Sequence, residues 1–220
     1  MVLSHLRCVT WLCLTTTLLL ASCSRSGDTE DDFLRSSAVM IVHRGEGVYL
    51  GNGLVLTAAH VAGDKTGEKL TLRFDNGTEL PATLIKGGNF EQVDLTVLLI
   101  DVSETSEDIR SRHMALCKDR PWPEDAVVVV TSKGTSRSKI IAPAELTPDF
   151  RGRVLIAAVD TDGKSGSGVF DPRNRCLLGI LSAKILVRPY GVPKLGEKAL
   201  GTYFVPAETI ESFIPSEYRH

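Results

Sequence analysis

Little in this sequence favours nucleic acid as a partner. Lysine and arginine number 25 against 27 aspartates and glutamates, the formal net charge is −2, and no basic block stands out, so the electrostatic footprint of a phosphate-backbone reader is missing. Aromatic residues make up only 6% of the chain, too few for a platform on which unpaired bases stack. Cysteine is scarce too. Cys8, Cys13, Cys23, Cys117 and Cys176 include no Cys-x-x-Cys unit, and no His-rich cluster accompanies them, which argues against a structural zinc and implies no metal or cofactor. The apolar stretch at residues 9–20 (VTWLCLTTTLLL) is too short to cross a bilayer as a helix, which takes about 20 residues.

That stretch suits the core of a signal peptide, with His5 and Arg7 as a weakly basic start. It ends in Leu20-Ala21-Ser22-Cys23, which resembles the bacterial lipobox: small residues before a cysteine that receives a diacylglycerol. The resemblance implies that residues 1–22 are a lipoprotein signal peptide and that Cys23 is the lipidated first residue of the mature chain. Residues 23–37 follow as acylated cysteine and tether, their polar, acidic run at 24–32 (SRSGDTEDD) reading as flexible. Ser24 rather than aspartate after the cysteine points to the outer membrane, facing the periplasm. Cys117 and Cys176 are then the two cysteines left in a compartment that permits disulfides; whether they pair stays open, because spacing does not fix their separation.

From Ala38 onward, short β-rich runs alternate with Gly, Asn, Asp and Pro breaks. Strands are expected at 38–43, 48–50, 53–57, 70–74, 80–85 and 95–100, and in a second set at 127–131, 139–142, 154–158, 168–170, 177–185 and 201–205. Such spacing predicts an all-β sandwich or barrel rather than βαβ units. Residues 103–125, polar and carrying Pro121 and Pro123, have the composition of a connector. Residues 207–214 (AETIESFI) place Ile210, Phe213 and Ile214 on one face of a short C-terminal helix.

Three motifs carry chemistry. In Leu54-Val55-Leu56-Thr57-Ala58-Ala59-His60-Val61, a hydrophobic strand runs into two small residues that deliver an imidazole to the surface, and histidine takes and returns protons near neutral pH. In Val93-Asp94-Leu95-Thr96-Val97-Leu98-Leu99-Ile100, an aspartate opens an apolar run, and a carboxylate at the edge of a core needs a partner. In Asp162-Gly163-Lys164-Ser165-Gly166-Ser167-Gly168, glycines let the backbone turn tightly around a serine. A phosphate-binding loop is excluded there, because the position five before Gly163 holds Ala158.

Taken singly, each motif has a structural explanation; in the order His60, Asp94, Ser165 they resemble the trypsin/chymotrypsin-like serine protease superfamily, specifically a bacterial HtrA/Deg-like protease domain without its PDZ domain. The first motif is similar to the family's Thr-Ala-Ala-His signature, the third to its Gly-Asp-Ser-Gly-Gly-Pro box. The resemblance implies two six-stranded β-barrels of the chymotrypsin type and a short C-terminal helix: barrel 1 at about 38–102, a linker at 103–125, barrel 2 at 126–206 and the helix at 207–214. It implies a serine-type endopeptidase in which Ser165 attacks, His60 shuttles the proton, Asp94 orients His60, and the N–H groups of Gly163 and Ser165 form the oxyanion hole. Gly179-Ile180-Leu181-Ser182 is similar to the strand that pairs with substrate, which makes Ser182, Ala183 and Lys184 the expected substrate-binding residues. Partners would be a protein or peptide substrate and the membrane that holds the lipid on Cys23.

The chain departs from the family at Lys164, where relatives activated by cleavage carry an acidic residue that pairs with a freed amino terminus. A lysine cannot make that pair, so no activation by N-terminal cleavage is expected. Ser167 and Gly168 stand where Gly-Pro is usual, and the sequence ends at His220 with no PDZ domain expected. These departures keep open the alternative of a catalytically inactive, protease-like binding module on the envelope.

Overall fold

In a computed structural model, residues 28–142, 154–157, 164–187 and 198–219 are described. The first six strands are β1 (Ala38–Ile41), β2 (Gly45–Gly51), β3 (Leu54–Thr57), β4 (Lys69–Phe74), β5 (Glu79–Asn89) and β6 (Val93–Ile100). They close into an antiparallel barrel in the order β1-β2-β3-β6-β5-β4, with β1 paired to both β2 and β4. The period-2 pattern of a half-buried strand is plain in β4, where Leu70, Leu72 and Phe74 point inward and Lys69, Thr71 and Arg73 outward. Val39, Ile41, Tyr49, Val55, Leu84 and Leu98 complete that core, with Tyr49 edge-on to Phe74 at 5.7 Å between ring centres. The β2–β3 hairpin turns on Asn52-Gly53, both with positive φ (52° and 83°), the pair that a two-residue turn of matching twist demands.

The second set is β7 (Ala126–Thr131), β8 (Gly134–Lys139), β9 (Leu155–Ile156), β10 (Gly168–Asp171), β11 (Cys176–Val187) and β12 (Lys198–Pro206). They form a six-stranded sheet ordered β8-β7-β10-β11-β12-β9. Its outer strands are brought together by a bridge between Ile140 and Ile156 and by Ile141 N–H donating to the Leu155 carbonyl at 2.9 Å, so the sheet curls into the second barrel. The architecture is the chymotrypsin-type double barrel expected from the motifs.

The run Val127-Val128-Val129-Val130 shows how the halves join. Val127 and Val129 enter the core of the second barrel with Val169, Leu178, Leu181 and Phe204. Val128 and Val130 face the other way, into a shared core with Val48, Leu56, Leu95, Val97, Phe170 and Ile180. A strand buried on both faces reads as a continuous apolar run, and here the second face is the first barrel. The interface is sealed at its ends by helices. Leu34 of α1 (Asp28–Arg35) and Ile210 of α4 (Ala207–Phe213) are fully buried in the shared core.

Two segments differ from the sequence-based expectation. The tether at 23–37 includes α1, whose Asp31 contacts Thr135 and Arg137 of β8; of its two apolar residues, Leu34 is fully buried in the shared core while Phe33 stays exposed. The connector contains a 3₁₀ turn at Val102–Glu104 and a helix, α3 (Glu107–Ser111), capped by the Ser106 hydroxyl. Cys117 and Cys176 pair in a disulfide with Cα atoms 5.0 Å apart, and a neighbouring bridge between Leu116 and Leu177 lays the end of the connector along β11.

Candidate active site

The end of β3 delivers the first residue of the site. Thr57 and Ala58 are fully buried, and the chain turns directly into a one-turn helix, α2 (Ala59–Ala62). Ala58 and Ala59 are both buried, and His60 is the residue of the turn that reaches outward. Its ring is about one-third exposed. Gly63, at φ 90°, ends the turn, and its carbonyl accepts from the Thr96 hydroxyl at 2.8 Å. Thr96 thereby ties the end of α2 to β6.

Asp94 lies near the start of β6 and is almost fully buried. Three donors surround it: His60 Nδ1 at 2.8 Å from Oδ2, the His60 backbone N–H at 3.0 Å from Oδ1, and the Ser182 hydroxyl at 2.5 Å from Oδ2. Burial alone would push this carboxyl up; the hydrogen bonds from the His60 ring, Ser182 and the His60 backbone together hold it below its ordinary value. The bond to Asp94 in turn raises the His60 pKa above 6.5, against the opposing effect of burial. With a carboxylate on Nδ1, the neutral ring carries its proton there, and Nε2 is left with a free lone pair.

Ser165 lies in the tight turn that enters β10. Its carbonyl accepts from Glu46 N–H at 3.0 Å, Gly166 N–H donates to the Leu181 carbonyl at 2.9 Å, and Ser167 N–H donates to the Lys164 carbonyl at 3.0 Å. Gly166 adopts φ +90°, and a Cβ there would stand 2.0 Å from the Glu46 carbonyl oxygen and 2.5 Å from Thr57 Oγ1. No other residue fits. The turn is thus wedged between β2 and β11.

The Ser165 hydroxyl donates to the Ser182 carbonyl over a long 3.4 Å; among the described residues, no hydrogen bond joins it to His60. Ser182 therefore stands at the centre of the constellation, with its hydroxyl on Asp94 and its carbonyl on Ser165. Its sequence context points to substrate binding and gives no sign of the contact with Asp94. Ala183 is half-buried and Lys184 exposed, both on β11 beside β12. Phe90, 59% exposed, stands edge-on to the His60 ring at 5.7 Å. It occupies the β5–β6 turn, where no strand pattern draws attention to it. Ser167 is fully buried, and its hydroxyl has no partner among the described residues. Gly163, the second expected oxyanion donor, and Cys23, the expected lipidation site, lie outside the described residues.

Away from this constellation, a cavity of about 780 Å³ lies beside the disulfide, lined among others by Lys118, Arg120, Trp122 and Arg173. None of His60, Asp94, Ser165 or Ser182 lines it. Among the described residues, no group of three or more His, Cys, Asp or Glu side chains is placed to hold a metal ion.

The structure brings a strand-end histidine held by a buried aspartate and a serine in a glycine turn together around Ser182, on a double β-barrel. The sequence pattern of the trypsin-like peptidase domain matches residues 45–180, more than half of the chain, and the chain belongs to that family. Its structure is similar to the crystal structure of Rv3671c protease in an inactive form, with a TM-score of 0.57, 16% identity, and coverage of 84% of this chain and 90% of that one. It is also similar to an inactive serine-to-alanine mutant of Rv3671c from M. tuberculosis H37Rv, with a TM-score of 0.59, 16% identity, and coverage of 86% and 89%. At that identity the likeness shows the fold. No curated protein matches the sequence.

Proposed function

We propose that the chain is a serine endopeptidase, and the observation that carries this reading is the double hold of Asp94 on His60 beside Ser165. Asp94 fixes the tautomer in which Nε2 is the base. The reaction requires the Ser165 hydroxyl to turn from the Ser182 carbonyl to that lone pair, and the bond it leaves is long and weak. His60 takes the Ser165 proton as Oγ attacks a peptide carbonyl, then gives that proton to the departing amine. The acyl-enzyme is hydrolysed by a water that His60 deprotonates in turn. Backbone N–H groups of Gly163 and Ser165 stabilise the oxyanion, each donor contributing about 2.7–4 kcal/mol in such sites. Ser182, Ala183 and Lys184 line the edge along which substrate lies.

The same reading puts the enzyme in a bacterial envelope. Residues 1–22 serve as a lipoprotein signal peptide, and Cys23 carries the lipid, on the outer membrane facing the periplasm. On this reading the protease domain spans 38–214, with barrel 1 at about 38–102, a linker at about 103–125, barrel 2 at about 126–206 and the C-terminal helix at about 207–214. Lys164 beside the nucleophile supports an enzyme that needs no N-terminal cleavage to become active. Palmitate incorporation that disappears in Cys23→Ala supports the anchor; incorporation that persists refutes it.

The catalytic reading is tested by incubating the full chain in detergent with a mixed peptide library and following cleavage by mass spectrometry. Cleavage that is lost in Ser165→Ala and in His60→Ala is the expected result. The alternative, an inactive binding module, draws support from the Ser165 hydroxyl facing Ser182 instead of His60; a folded wild type that binds but never cleaves peptides favours it.

A further inference from the structure

Glu46 is a buried acid that the proposed reaction does not use. It is only 4% exposed, near the start of the first barrel's β2, yet its carboxylate reaches into the second barrel. There Oε2 accepts the Ser132 backbone N–H at 2.9 Å and Oε1 accepts the Ser132 hydroxyl at 2.8 Å, in the turn between β7 and β8. The main chain of the same residue meets the site twice. Its N–H donates to the Ser165 carbonyl at 3.0 Å, and its carbonyl accepts the Thr57 hydroxyl at 2.6 Å while closing over Gly166. One residue thus joins the strand that delivers His60, the turn that carries Ser165 and a hairpin of the other barrel.

Such a placement has a thermodynamic cost. Burial pushes the Glu46 carboxyl above its ordinary value, and the Ser132 hydrogen bonds and the positive charges of Lys133 and Lys164 offset this only in part. A carboxyl whose folded-state pKa is raised favours the fold below its unfolded value and loses that contribution as pH rises through the folded value. At neutral pH and above, an apolar residue paired with an apolar partner would suit the stability of the interface better. Residues that break a stability rule beside a reacting group are the ones to examine for a role in function.

We propose that Glu46 is a positioning residue for the nucleophile: its carboxylate anchors β2 on the Ser132 turn, so that the Glu46 main chain holds Ser165 and Gly166 in register with His60. This rests on the peptidase reading above. The role belongs to hydrogen bonding, which glutamine reproduces by accepting from Ser132 N–H and donating to Ser132 Oγ, whereas alanine does not.

The test is steady-state peptide hydrolysis by the full chain in detergent, with concentrations corrected to folded protein. Glu46→Ala is expected to lower kcat by about tenfold or more at nearly unchanged KM, since a displacement of about 1 Å at a reacting group costs about 10²-fold. Glu46→Gln is expected to restore kcat to within about threefold of wild type, with a melting temperature at pH 8 equal to or above it. Ser132→Ala removes one of the two anchor bonds and is expected to lower kcat about threefold, with no further loss when combined with Glu46→Ala; it decides the matter if Glu46→Ala does not fold. A Glu46→Ala chain with wild-type kcat overturns the proposal, as does a Ser132→Ala loss that adds in full to that of Glu46→Ala. These outcomes leave the peptidase reading intact. A wild type without Ser165-dependent turnover overturns both.

Discussion

Asp94 grips His60 by two atoms at once, its Oδ2 2.8 Å from the ring Nδ1 and its Oδ1 accepting the His60 backbone N–H at 3.0 Å. The second bond fixes the peptide as well as the ring, so the aspartate sets both where the imidazole is and which nitrogen carries its proton. Asp94→Asn keeps the shape but offers an N–H where an acceptor is needed. On the peptidase reading it is expected to lower kcat by about 10⁴-fold, the effect of the wrong tautomer in a Ser-His-Asp triad, with a circular dichroism spectrum like that of wild type.

The same pair sets the dependence on pH. His60 is raised above 6.5 by its hydrogen bond to Asp94, so kcat/KM is expected to fall on the acid side with a midpoint above 6.5, as His60 becomes protonated in the free enzyme. For stability the signs oppose each other. The raised His60 contributes fully below 6.5 and loses its contribution as pH rises through the folded value. The lowered Asp94 contributes above 3.8 and loses its contribution as pH falls through the folded value. The pair therefore stabilises most between the two ordinary values, 3.8 and 6.5, where both contributions are complete. A pH–rate profile of wild type is the measurement, and a midpoint at or below 6.5 contradicts the assignment.

Gly166 is expected to tolerate no side chain. Its φ is +90°, and the Glu46 carbonyl oxygen lies 2.0 Å from the point a methyl group would occupy. Gly166→Ala therefore forces either β2 or the Ser165 turn to move. A loss of well over about 1 kcal/mol in unfolding free energy is expected, together with turnover reduced at least as strongly as in Glu46→Ala. Chemical denaturation and peptide hydrolysis check both.

The disulfide closes a loop with a sequence separation of 59. Replacing Cys117 and Cys176 together by serine is expected to cost about 2–5 kcal/mol, read as a lower melting temperature. Neither cysteine touches the His60–Asp94–Ser182 cluster, so kcat of the folded double variant is expected to stay within about threefold of wild type.

Much of this is legible in the sequence because it is written locally. His60 follows a strand and two alanines, Asp94 opens an apolar run, and Ser165 sits among glycines; each pattern states its own geometry. The valine run at 127–130 announces a buried strand, though not that its two faces serve two cores. What escapes depends on packing between distant segments. Glu46 reads as a polar residue between two glycines until its carboxylate is seen on Ser132, 86 positions away. β8 (GTSRSK) has no apolar alternation to betray a strand, since its side chains are mostly half-buried or exposed. Ser182 resembles part of a substrate edge because its partner, Asp94, lies 88 residues earlier in the other barrel.

Covalent labelling tests most directly whether Ser165 is a nucleophile activated by His60. The full chain in detergent would be treated with a fluorophosphonate and the adduct located by peptide mapping. One adduct on Ser165, absent in Ser165→Ala and formed far more slowly in His60→Ala, is the expected result. A folded wild type that takes no label, or carries it on another residue, contradicts the account.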